Sequence, residues 1–176
     1  MKRLFLCFIA VLSVFSLTAQ SEFENEVINN IMARRSVRKY LDKPVEHAKL
    51  EAVAQAGINA PSARNWQYWA VRIIEDYKLI AEVSEVYKQA NPEAVSREPG
   101  FKNMFRGAPN LICVCAPKDG DFDLDAGLMG ENMMLAAQSL GLGTCCLGGP
   151  VRFLNTNADA KFFLERLDIR ITDRDA

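Results

Sequence analysis

The sequence predicts an α+β domain in which helices pack on both faces of one small sheet. Three observations carry that expectation. Stretches with apolar residues at helical spacing outnumber the short apolar runs that read as strands. The two kinds of segment alternate irregularly. The chain has 176 residues, 49% hydrophobic and 24% charged, with no internal repeat or low-complexity tract, so one ordinary core is expected.

The N-terminus stands apart from that domain. Met1, Lys2 and Arg3 give a positive start, residues 4–17 are an almost unbroken apolar run, and Thr18-Ala19-Gln20 leads into polar sequence. This is the layout of a secretory signal peptide, with cleavage expected near Ala19. The run is too short to span a bilayer comfortably. It is also apolar on every face, unlike a helix packed on a core. Residues 1–19 are therefore expected to be a signal peptide and residues 20–176 the folded domain. The mature protein would be exported, periplasmic or secreted, with no stable membrane anchor. Cys7 lies inside the apolar run rather than at its end, so a lipoprotein signal is not read.

Ser21 with Glu24 makes a capping-box pattern, and Phe23, Val27, Ile28 and Ile31 follow at helical spacing. They predict a helix from about residue 22 to about residue 33. Residues 34–40 read as extended. Pro44 is expected to open a second helix, with Leu50 and Val53 on its apolar face, ending near Gly57. Asn59-Ala-Pro-Ser-Ala-Arg-Asn65 has turn chemistry and no periodicity. Residues 68–74 are apolar enough for a strand. Asp76 then caps a helix whose stripe is Leu79, Ile80, Val83, Val86 and Tyr87. Pro92, Pro99 and Gly100 mark a mobile connection. Residues 110–116 read as a buried strand, and residues 123–140 as a long helix rich in small residues and Met, closed by Gly141. Residues 144–147 predict another short strand. A loop from Pro150 and one final helix reach about Leu167.

A net charge of −1 offers no basic field for nucleic acid or an anionic membrane. Phosphate binding would have to come from local basic residues. Cleavage would leave Cys113, Cys115, Cys145 and Cys146. The first two sit in an apolar run, where a free thiol behaves as a small hydrophobe. Adjacent Cys145 and Cys146 point to opposite faces of a strand and could form only a strained disulfide. No Cys-x-x-Cys is present and His47 is the only His, so no metal site is expected.

Three segments carry chemistry. In Arg34-Arg35-Ser36-Val37-Arg38, an extended backbone puts Arg34, Ser36 and Arg38 on one face, a donor set suited to a phosphate dianion. The plainer reading is that Arg34 and Arg35 cap the first helix, favoured by its dipole. In Pro61-Ser62-Ala63-Arg64-Asn65-Trp66-Gln67, Asn65 and Gln67 each offer a donor and an acceptor to a polar ring edge. Ordinary loop chemistry would use the same residues. In Gly141-Leu-Gly-Thr-Cys-Cys-Leu147-Gly148-Gly149-Pro150, the paired glycines would let backbone N–H groups approach a flat ligand. A Gly-Gly turn closing a strand explains them equally well. The order, helix then glycines then strand, is the reverse of a Rossmann fingerprint.

Taken in sequence, these segments resemble the nitroreductase family, over about residues 23–167. The resemblance implies a three-layer α/β/α sandwich, a tightly intertwined homodimer, and FMN at the subunit boundary. It implies that Arg34, Arg35, Ser36 and Arg38 hold the FMN phosphate and ribityl chain. It also implies that Pro61, Ser62, Asn65 and Gln67 reach the partner's FMN, and that Leu147, Gly148 and Gly149 lie against the ring. Glu131 and Asn132 on the long helix are weaker candidates, with a polar stripe as their plain reading. The family continues past its last helix with a strand and a basic segment that touches the phosphate. Here Leu167-Asp168-Ile169 is followed only by residues 170–176, so a truncated C-terminus is expected.

The function implied is an FMN-dependent oxidoreductase passing electrons from NADH or NADPH to nitroaromatics, quinones or similar small acceptors. The cofactor carries such chemistry and the protein orients it, so no catalytic acid, base or nucleophile is nominated. A C-terminally truncated flavin-binding remnant with little or no activity is the alternative. A thiol redox protein using Cys145 and Cys146 ranks below both. Residues 101–105 are a candidate lid, or equally a core anchor for their loop.

Overall fold

The computed structural model describes residues 25–117 and 122–167. The expected signal peptide, the Ser21/Glu24 capping pattern and the chain after Leu167 lie outside those residues.

Helix α1, Glu26–Ala33, starts later than its apolar spacing suggested. Asn25 is extended, and its side-chain oxygen accepts the Ile28 N–H at 3.0 Å, which makes Asn25 the cap. Helix α2, His47–Ile58, likewise begins after Pro44. The Val45 N–H is donated to Asn110 Oδ1 at 2.8 Å, and that bond ties the entry to α2 down outside the helix. Strand β1 is Ala70–Ile74. Helix α3, Tyr77–Ala90, is capped by Asp76, which accepts from the Lys78 and Leu79 N–H groups at 2.9 and 3.2 Å.

The proline-rich stretch that follows holds a single helical turn, α4, Pro92–Ser96, with proline in the first turn where a missing N–H costs nothing. Strand β2 is Leu111–Cys115 and α5 is Asp123–Ser139, close to expectation.

The last third differs from the sequence reading. Residues 144–147 do not form a strand. Only Thr144 pairs, in an isolated parallel bridge with Ser36, and its carbonyl accepts the Val37 N–H at 2.8 Å. Helix α6, Gly148–Thr156, then begins at once. Glycine's poor helix propensity and the following Pro150 disguised it, yet both are tolerated in a first turn. A 3-10 turn at Ala158–Ala160 leads into α7, Lys161–Arg166, so two helices stand where one was expected.

Strands β1 and β2 pair antiparallel, Ala70 opposite Cys115 and Ile74 opposite Leu111. Alternation along each strand sends its residues to two cores. Val71, Ile112 and Val114 pack with Val53 of α2 and Met129, Met133 and Ala137 of α5. Ile74, Leu111 and Cys113 pack with Leu79, Ile80 and Val83 of α3, Leu154 of α6 and Phe163 of α7. The result is the expected three layers, helices on both sides of a small sheet. Gly57 lets α2 close on α5, since a side chain there would run into Met133.

Candidate cofactor site

A cleft of about 570 Å³ opens where the Ser36–Thr144 bridge brings the N-terminal segment against the start of α6. Arg38, Cys145, Cys146, Gly148, Gly149 and Arg152 line one part of it. Tyr87, Phe101 and Phe153 line another: Tyr87 stacks on Phe101 at 6.2 Å and meets Phe153 edge-on at 5.1 Å. A Cβ placed on Gly148 or Gly149 would meet no heavy atom within 4 Å, so the backbone faces open space there. The first turn of α6 has no side-chain cap, so its N–H groups and the positive end of its dipole are available to an electron-rich ligand.

The four N-terminal candidates divide. Arg38 lines the cleft, and among the described residues it has no ion-pair partner. Arg34 lies 3.8 Å from Glu131 on α5. Arg35 turns back and donates to the Met32 and Arg34 carbonyls at 2.6 and 2.7 Å, acting as the cap of α1. Ser36 is exposed beside the bridge. Leu147, Gly148 and Gly149 line the cleft, on a helix start rather than the strand end expected.

Pro61, Ser62, Asn65 and Gln67 do not line this cleft. Asn65 ends a 3-10 turn, Ala63–Asn65, that the other three flank, beside the N-terminus of α5. Arg64, Asn65 and Gln67 take left-handed φ values of 51°, 56° and 52°, a region that costs about 1–2 kcal/mol for most L-residues. Gln67 Nε2 donates to Asn65 Oδ1 at 2.8 Å, and the Arg64 guanidinium lies 5.1 Å from the Trp66 ring centre. The buried Ser62 hydroxyl has no hydrogen-bond partner among the described residues. Asn132, a weaker candidate, ties α5 to α2 by donating to the Ala56 carbonyl at 3.2 Å.

The proposed lid resolves the other way. Met104 and Phe105 are buried, and the Met104 N–H is donated to the buried Ser84 hydroxyl at 3.2 Å, so this segment is a core anchor. Only Phe101 of the pair of phenylalanines contributes to the cleft wall.

Burial, then the neighbouring Cys145, raise the Tyr40 phenol above its usual range, against a smaller opposing effect of Arg38; its hydroxyl donates to the Val37 carbonyl at 2.7 Å. All four described cysteines are free thiols. Burial, with Cys115 adding to it, pushes the Cys113 thiol up to about 12.

Two residues escaped the sequence reading. Arg152 lines the cleft without an ion-pair partner among the described residues. It lies one turn beyond Gly148, a relation visible only once α6 is known to start at the glycines. Asp125 is buried and accepts the Ala63 N–H, joining α5 to the 62–67 turn. Its position in a helix whose neighbours are mostly small or apolar was the available signal.

The fold agrees with comparisons across known proteins. The model of the Nitroreductase family matches residues 31–169. A relative from Archaeoglobus fulgidus, of the NADH dehydrogenase/NAD(P)H nitroreductase kind, is 31% identical over 129 residues, 70% of this chain and 67% of its own. The FMN reductase (NAD(P)H) of Bacillus subtilis is 29% identical over 138 residues, 70% of this chain and 54% of its own. The crystal structure of a nitroreductase with bound FMN from Bacteroides fragilis superposes with a TM-score of 0.74 at 26% identity, covering 84% of this chain and 82% of that one. The chain belongs to the nitroreductase family. It spans between about half and two thirds of the length of these two curated relatives.

Proposed function

We propose that the chain binds FMN and works as an oxidoreductase, moving electrons from NADH or NADPH to a nitroaromatic, a quinone or a similar small acceptor. The observation that carries this reading is the cleft lined by both Arg38, without an ion-pair partner among the described residues, and the open backbone of Gly148 and Gly149. The donor set suits FMN at both ends. A guanidinium offers paired donors to a phosphate, and side-chain-free backbone admits a flat ring. FMN, when bound, supplies two-electron transfer between a nicotinamide and an oxidised acceptor.

The chain's own residues bind and orient. Arg38 and Arg152 would neutralise the phosphate, and Gly148 and Gly149 would offer side-chain-free backbone to the flavin. The aromatic wall of Tyr87, Phe101 and Phe153 narrows access for water.

The reading includes a homodimer. Helices α1 and α5 pack together, Asn30 Nδ2 donating to the Leu135 carbonyl at 2.9 Å. Both leave large apolar side chains in solvent: Val27 and Met32 are each 68% exposed and Leu124 is 70% exposed. Apolar surface on two adjoining elements marks an interface. Asn65 and Gln67, set away from their own cleft, would then serve the partner's cofactor. Export follows from the apolar leader, and mass spectrometry of protein from its native host should find a start near Gln20.

The test is an absorption spectrum of purified protein with added FMN, followed by NADH or NADPH oxidation with a quinone or nitroaromatic. Bound flavin with turnover is expected. A yellow protein that oxidises no nicotinamide would replace the enzyme reading with that of a flavin-binding remnant.

A further inference from the structure

We propose that Asp125 is a positioning residue: its buried carboxylate clamps the 62–67 turn in the left-handed shape that presents Asn65 and Gln67. Asp125 is only 5% exposed, and both its carboxylate oxygens accept the Ala63 N–H, at 3.2 and 3.3 Å. Burying a charge is costly unless donors meet it. This one sits in the first turn of α5, where free N–H groups and the helix dipole favour negative charge. An apolar residue would fill a packing position at less cost, so the carboxylate is placed for the bond it makes.

The turn needs such a clamp. Arg64, Asn65 and Gln67 are all non-glycine residues at positive φ, within four positions. Backbone held in so sparse a region persists only where its surroundings enforce it. Among the described residues, the turn's remaining hydrogen bonds are internal: the Asn65 N–H to the Ser62 carbonyl, the Trp66 N–H to the Ala63 carbonyl, and Gln67 to Asn65. Trp66 and Tyr68 are about half exposed and anchor it little, apart from an edge-on contact of Tyr68 with Phe122 just before α5. The Asp125–Ala63 bond is thus the turn's polar tie to the fold.

What the turn touches rests on the cofactor reading above; the clamp itself does not. The experiment uses the full chain and two variants. Asp125→Ala removes the acceptor. Asp125→Asn keeps one oxygen acceptor in the same place. Amide hydrogen exchange at Ala63 and tryptic cleavage after Arg64 report the turn without FMN. FMN titration and thermal melting report its consequence.

For Asp125→Ala, exchange and cleavage should rise about tenfold or more, as expected for loss of a charge-assisted hydrogen bond. FMN affinity should fall by a similar factor, and Asp125→Asn should recover most of both. If Asp125→Ala fails to fold, Ala63→Pro deletes the same bond from the exposed side, and Ser62 is already extended as a residue before proline must be. An unchanged turn would overturn the clamp. A released turn with unchanged FMN titration, or an affinity loss that only tracks the melting temperature, would overturn the positioning role. Wild-type protein that takes up no FMN would overturn the cofactor reading instead, and exchange and cleavage would still decide the clamp.

Discussion

Val37 packs directly on Gly143: a Cβ built on that glycine would lie 2.9 Å from Val37 Cβ and Cγ2. The next peptide carries the bond from the Val37 N–H to the Thr144 carbonyl, 2.8 Å long. The bare backbone at Gly143 therefore lets the N-terminal segment dock beside the residues that lead into α6, and this docking puts Arg38 in the cleft that Gly148 and Gly149 also line. Gly143→Ala should force the two segments apart. The expected loss is about 1–3 kcal/mol, typical of overpacking a tight contact, read by urea unfolding. FMN affinity should fall with it. A variant as stable as wild type would mean that Val37 yields without moving Arg38.

Arg38→Ala and Arg152→Ala should each weaken FMN binding, by roughly 1.5–3 kcal/mol if each removes a charge-assisted bond to phosphate. Arg34→Ala should cost less, because Arg34 already faces Glu131. Because Arg38 and Arg152 are exposed, the binding they support should weaken at high salt. Fluorescence titration at low and high ionic strength reads all three variants. Equal affinity for Arg38→Ala and wild type would remove the phosphate assignment.

The homodimer makes a separate demand. Met32→Glu with Leu124→Glu puts charge on the two exposed apolar helices while leaving the buried Met129 and Met133 untouched. Light scattering should find a dimer for wild type and a monomer for the double variant. FMN uptake should fall in parallel, because Asn65 and Gln67 would no longer reach a partner's site. A wild-type monomer that binds FMN stoichiometrically contradicts the shared site.

Periodicity located α3, whose apolar stripe buries on one side, while α5 was legible from its run of small residues and Met closed by Gly141, and the strands from short apolar runs. It failed where backbone chemistry outvoted side chains. Glycines at 148 and 149 read as a turn because their helix propensity is poor, yet they begin α6, and with them Arg152 enters the cleft. The segment Arg34 to Arg38 was legible as a basic cluster, but not its division. Whether an arginine caps its own helix, as Arg35 does, or faces a cleft, as Arg38 does, depends on contacts distant in sequence. Asp125 stood out only as an acid among small and apolar neighbours, and its role was not legible because its partner is Ala63 on another element.

The thiols should separate by burial. Cys113, raised to about 12, should stay unreactive toward a disulfide reagent at pH 8 until the protein unfolds. Burial raises Cys115 as well, with Arg72 opposing it. Cys146 is exposed in the cleft and should react first. FMN should slow that reaction if it fills the same space. Modification of Cys146 at one rate with and without saturating FMN would place the flavin elsewhere.

His47 ties the start of α2 to the end of β1, its Nδ1 2.6 Å from Glu75 Oε2 and its Nε2 3.3 Å from Glu51 Oε1. The hydrogen bond to Glu75, then the charges of Glu75 and Glu51, raise its pKa above the ordinary 6.5. Folding therefore favours the protonated ring. That contribution is fully present below pH 6.5 so long as the carboxylates stay ionised, and it is lost as pH rises through the folded-state value. The pair is exposed, so the effect on overall stability should be slight and should shrink with salt. The clearer readout is the ring itself, since His47 is the only histidine in the chain. Its imidazole resonance should titrate above 6.5 in the native protein, and Glu75→Gln should bring the midpoint down. A native midpoint at or below 6.5 would show that the ring and Glu75 do not hold this contact in solution.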